Sequence, residues 1–178
     1  MAKISRTQVS RYFSEGEKGS STKACGRALE NLICYLFATI PGVEIYARNT
    51  LNTFETEEID VAFWNEQFRT GLHFLPSVIL TECKNWSQRV GSQEIAYFAS
   101  RLKHRGCEYG ILIATNGIAG SPEMLTAARF QITIALHQGQ RILVLTRTEI
   151  EALTTSQELI ALLKRKICEL VVSGTTLA

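Results

Sequence analysis

Two short apolar runs constrain the fold more than any other feature of the chain. Residues 109–114 (YGILIA) and 141–146 (RILVLT) lack the alternation of a half-exposed strand and match strands covered on both faces, as at the centre of an α/β sheet. Between them, Ser121-Pro122-Glu123 opens a helix, with serine as the cap and proline in the first turn. That helix is predicted to run to about His137 and to close at Gly139.

The rest of the chain fits the same class. From Ala24, the residues Leu29, Leu32, Ile33, Leu36, Phe37 and Ile40 recur at helical spacing until Pro41-Gly42 stops them. A strand at 43–48 and a polar turn at 49–56 follow, then strands at 58–64 and 77–84 around an irregular excursion. Ile95, Phe98, Ala99 and Leu102 make one stripe of a helix over 92–105. Residues 148–172 read as one or two amphipathic helices. Residues 1–23 are polar and read as an arm with one short turn at 8–13. The order α-β-β-β-α-β-α-β-α in 178 residues predicts a single α/β domain, with an arm (1–23), a core (24–153) and a C-terminal helix and tail (154–178).

Composition narrows the function mainly by exclusion. A net charge of +2 is too mild to signal nucleic acid by itself. Five scattered cysteines with no C-x-x-C pair argue against a zinc site or disulfide framework and fit a reducing cytoplasm. No apolar run is long enough for a membrane span, and the segment MAKISRTQVSRYF has no apolar signal-peptide core. No phosphate-binding glycine loop is present, and His73, His104 and His137 are spaced for neither a metal cluster nor a triad.

The chemistry lies on the two strands before the first apolar run. Asp60 interrupts an otherwise apolar strand, and Glu82 and Lys84 end the next one. Residues i and i+2 of a strand share a face, so Glu82 and Lys84 project together, and a hairpin would bring Asp60 beside them. Two neighbouring carboxylates repel, and a hard divalent cation relieves that repulsion. Asp60, Glu82 and the backbone carbonyl of Cys83 form a candidate ligand set for Mg²⁺ or Mn²⁺. Glu30, on the first long helix, is within reach of it. Lys84 would sit where it can orient or deprotonate a water. Ordinary salt bridges at strand ends are the simpler reading of each motif taken alone.

Together, Glu30 in GRALENL, Asp60 in EEIDVAF and Glu82-Cys83-Lys84 in LTECKNW resemble the PD-(D/E)XK nuclease superfamily, and most closely its Mrr-like restriction endonuclease domains. The resemblance continues through YGILIATNG and covers about residues 24–153. It implies a restriction-endonuclease-like mixed central sheet flanked by helices. It also implies metal ligation by Asp60 and Glu82, a water-activating or charge-stabilising Lys84, and an auxiliary acidic role for Glu30. Gln93 and Tyr97 are similar to the Q-x-x-x-Y accessory motif of RecB-like nucleases. Ile59 stands where the motif's proline would be, and Cys83, at its variable position, is expected to be a packed thiol.

Trp86, Arg89 and Lys23 are candidate nucleic-acid contacts, by stacking and by phosphate pairing respectively. These residues predict a metal-dependent nuclease, a DNA endonuclease of restriction or defence type, with RNA left open as a substrate. The expected assembly is a homodimer, with a partner subunit as one source of specificity or activation. The alternative from a different class is a catalytically silent or partner-dependent nucleic-acid-binding module on the same fold.

Overall fold

A computed structural model describes residues 2–52, 55, 57–84, 87–120 and 127–176. Five strands form one mixed sheet in the order β1-β2-β3-β4-β5: β1 (Val43–Leu51), β2 (Glu58–Asn65), β3 (Val78–Lys84), β4 (Tyr109–Ala114) and β5 (Arg141–Leu145). The first three are antiparallel and the last three parallel. Parallel neighbours need a crossover, supplied here by α3 (Ser92–His104) and α4 (Ala127–His137). The two doubly apolar runs are the strands β4 and β5, and Ile111, Leu112, Ile113, Val144 and Leu145 have essentially no exposure. The segment 121–126, where the start of α4 was expected, lies outside the described residues.

Helices cover both faces. On one, α2 (Thr22–Phe37) buries Leu29, Leu32, Ile33, Leu36 and Phe37, and the Phe37 ring stacks on Phe63 of β2 at 4.7 Å. The other face carries α3, seated close to β4 because Gly110 offers no side chain. A Cβ there would lie 2.6 Å from both Phe98 and Leu102. Packing at this density tolerates no such overlap. The short helix α5 (Arg147–Ala152) and the long α6 (Ser156–Ser173) both begin at capping boxes, Thr146 with Glu149 and Thr155 with Glu158.

The structure corrects two expectations. Residues 6–18, read as part of an arm, form the 13-residue helix α1 (Arg6–Lys18), capped by Ser5 and packed on α2. Its apolar stripe is narrow, mainly Val9 and Phe13, so polar composition masked the helical period. The expected turn at 49–56 also shrinks, because β1 continues through Asn49 to Leu51 and pairs there with Glu58. Ladder hydrogen bonds override the polar character of that segment.

Candidate active site

The site is built where β2 and β3 part. Their pairing ends at Val61 opposite Thr81. Continued by one residue, it sets Asp60 across from Glu82, with both side chains on one face. The Asp60 carboxylate replaces the lost ladder partner: Cys83 donates its backbone N–H to Oδ2 at 2.6 Å. This bond fixes the carboxylate in the fork between the strands.

A cavity of about 460 Å³ opens at the fork. Asp60, Glu58, Cys83 and Lys84 line it from the sheet, Thr22, Lys23, Gly26 and Glu30 from α2, and Asn49 from β1. Glu30 is 7% exposed. Its Oε2 accepts from Arg48 Nη2 at 3.1 Å and Asn49 Nδ2 at 2.9 Å, which compensates the burial of its charge. Asn49 holds this pose with φ at 48°, a left-handed conformation that asparagine tolerates better than most residues.

Glu82 is set behind the lining and is held by two cations. Lys84 Nζ lies 2.8 Å from Oε1 and Arg101 Nη1, from α3, lies 2.6 Å from Oε2. The Asp60 carboxyl is pushed up to about 7, chiefly by burial and next by the negative charge of Glu82. The Cys83 N–H and the Lys84 charge oppose that rise. Such a carboxylate pair favours a cation between or beside its members. As the side chains stand, no three His, Cys, Asp or Glu among the described residues converge on one ion position. The donor oxygens are instead given to Arg101, Lys84, Arg48, Asn49 and the Cys83 amide.

The other expected site residues are more dispersed. Gln93 Nε2 donates to the Tyr97 hydroxyl at 3.0 Å on an exposed helix face. Arg101 continues that face at i+8 from Gln93, so the stripe leads toward Glu82. Lys23 borders the cavity, whereas Arg89 donates to the Gly120 carbonyl and does not line it. Trp86 lies outside the described residues. Cys83 is buried, and burial raises its thiol well above the ordinary range, followed by the nearby acidic charges. It is no nucleophile in this state. The sequence reading missed the pairing of Arg101 with Glu82 and of Arg48 and Asn49 with Glu30. The stripe Gln93, Tyr97, Arg101 was the available signal for the first.

A mixed sheet with two carboxylates and a lysine at the fork of its central hairpin defines a restriction-endonuclease-like nuclease fold. A family model described as restriction endonuclease, the Mrr catalytic domain, matches residues 23–146. The chain belongs to that family. No curated protein matches it. The matched span includes α2, both site strands, α3, β4, α4 and β5. Nucleases of this superfamily generally use divalent metal ions, and their substrate as restriction enzymes is DNA. No described helix is long and apolar enough to cross a membrane.

Proposed function

We propose that the chain is a metal-dependent DNA endonuclease of restriction type, with Asp60, Glu82 and Lys84 as its catalytic set. The observation that carries this reading is the shared fork. Asp60 and Lys84 line one cavity, and Glu82 is bonded to Lys84 at 2.8 Å while its charge raises Asp60. Oxygen donors of this kind suit Mg²⁺ or Mn²⁺. Asp60 and Glu82 would hold the ion, with the carbonyl of Cys83 and the Glu30 carboxylate as further donors. When bound, the ion supplies charge stabilisation at the scissile phosphate and lowers the pKa of a coordinated water.

The residues of the chain supply the rest. Lys84 leaves Glu82 to orient the attacking water or to stabilise charge gathering on the phosphate. Lys23, in the first turn of α2, faces the same cavity and offers a cation to a phosphate oxygen. Thr22 connects the cavity to a second groove of about 420 Å³, bordered by Gly19, Ser20, Ser21, Ser87 and Gln88. This hydroxyl-rich, acid-free groove suits the sugar-phosphate backbone of a strand leaving the cavity. Gln93 and Tyr97 lie on the helix face that leads to Glu82 and form an accessory contact. Two copies of the chain, each cutting one strand, would complete a duplex break.

Supercoiled plasmid incubated with the protein and Mg²⁺ or Mn²⁺ tests the reading. Nicked and linear products that vanish with chelator are expected. Intact plasmid with both ions, alongside retained DNA binding, would favour the silent binding module.

A further inference from the structure

We propose that Arg101 is a positioning residue for the metal-ligating carboxylate of Glu82, an inference that rests on the nuclease reading above. Among the described residues its guanidinium makes one polar contact, from Nη1 to Glu82 Oε2 at 2.6 Å, and its side chain is 24% exposed against 4% for Glu82. The helix does not need this bond for its place. Ile95, Phe98 and Leu102 are fully buried beneath it, and Gly110 lets the last two approach the sheet.

The carboxylate does need it. Among the described residues Glu82 otherwise has Lys84, a flexible side chain whose ammonium the chemistry requires elsewhere. One cation on each oxygen fixes the plane of the carboxylate and leaves a second lone pair on each oxygen for an ion. Without Arg101, Glu82 and Lys84 are free to fold onto each other, and the ligand and the catalytic lysine leave their stations together. Partners of metal-ligating carboxylates typically contribute about 10–100-fold in metal affinity or activity. Arg101 also continues the Gln93–Tyr97 face by one turn, so a single helix stripe supports the site from the side opposite α2.

Calorimetric titration of MnCl₂ into the DNA-free protein, compared across wild type, Arg101→Ala and Arg101→Lys, separates this role from a structural salt bridge. Arg101→Ala is expected to bind Mn²⁺ about 10–100-fold more weakly. Arg101→Lys, which keeps the charge and one donor, should recover part of the loss. The Mn²⁺ concentration for half-maximal plasmid cleavage should shift by the same factor while KM for DNA holds. Circular dichroism checks the fold, and if the alanine variant does not fold, Arg101→Gln and Arg101→Lys carry the comparison. Unchanged or tighter Mn²⁺ binding in a folded variant overturns the proposal. So does a loss of duplex binding in chelator, which would make Arg101 a phosphate anchor. Failure of the wild type to bind Mn²⁺ at all overturns the nuclease reading as well, so the two failures are distinguishable.

Discussion

Asp60 Oδ2 accepts the backbone N–H of Cys83 at 2.6 Å, in the place where a β2 carbonyl would otherwise continue the ladder. The side chain is therefore part of the sheet's hydrogen bonding and part of the cavity wall at once. This half-buried carboxylate serves both ends, and its raised pKa records first its withdrawal from water and then its closeness to Glu82.

The first prediction follows from that shift. Asp60 sits at about 7 in the fold and near the ordinary value of about 3.9 when unfolded. The unfolded state therefore releases this proton first as pH rises. Its contribution to stability is full below about pH 4 and is lost as pH rises through about 7. In chelator, Asp60→Asn should melt higher than wild type at about pH 8, with the gap closing toward about pH 4. Denaturation midpoints of the two proteins across that range check it, and parallel curves would show that Asp60 is not strained by its neighbours.

Activity should respond in the opposite direction to stability. Asp60→Ala and Glu82→Ala are each expected to abolish metal-dependent cleavage while leaving the circular dichroism spectrum intact, since each removes a proposed ligand. Plasmid conversion at matched Mg²⁺ is the measurement. Full activity in either variant removes the mechanism.

Lys84→Ala should separate binding from chemistry. The ammonium is within 2.8 Å of Glu82 and on the cavity wall. Losing a positioned proton-transfer or charge-stabilising group typically slows a reaction about 100-fold or more. Duplex affinity in gel-shift assays should stay close to wild type. Equal losses of binding and cleavage would assign Lys84 to anchoring phosphate.

A stability prediction tests the N-terminal helix. Phe13 is 4% exposed, and the Arg147 guanidinium lies 4.7 Å from its ring centroid. Phe13→Ala should cost about 3 kcal/mol, the usual range for a buried aromatic truncated to alanine. Urea unfolding measures it, and a loss below about 1 kcal/mol would mean that α1 adds little to the core.

What the sequence showed and hid follows from the range of each interaction. Strands β4 and β5 were legible because runs of apolar residues report burial locally. Asp60, Glu82 and Lys84 stood out for the converse reason, as charges set into strands that otherwise read as core. Their convergence needed only the hairpin of β2 and β3. The second ring of contacts was not legible in this way. Arg101 reaches Glu82 because Gly110, in the next strand β4, lets α3 settle against the sheet. Arg48 and Asn49 reach Glu30 because β1 extends past the polar residues that read as a turn. Helix α1 hid behind a stripe of few apolar residues, although Ser5 was present as its cap.

The last prediction concerns how DNA is held. The groove beside the cavity presents hydroxyls, an amide and the Cys25 thiol, with the Lys23 ammonium in the adjoining cavity, and the polar groups among them bind sugar and phosphate as readily as bases. Every described helix packs against another element, α1 on α2 and α5 and the others on the sheet or on neighbouring helices. Contact through phosphates releases counterions, so duplex affinity should fall steeply as salt rises. It should also vary little between unrelated sequences, because phosphate contacts set position and only base-edge contacts specify. Affinities for a panel of duplexes at two salt concentrations measure both effects together. A preference for one sequence beyond about 3 kcal/mol, the most that one good bidentate base contact supplies, would mean that the chain reads bases directly and that the reader lies in a segment other than this groove.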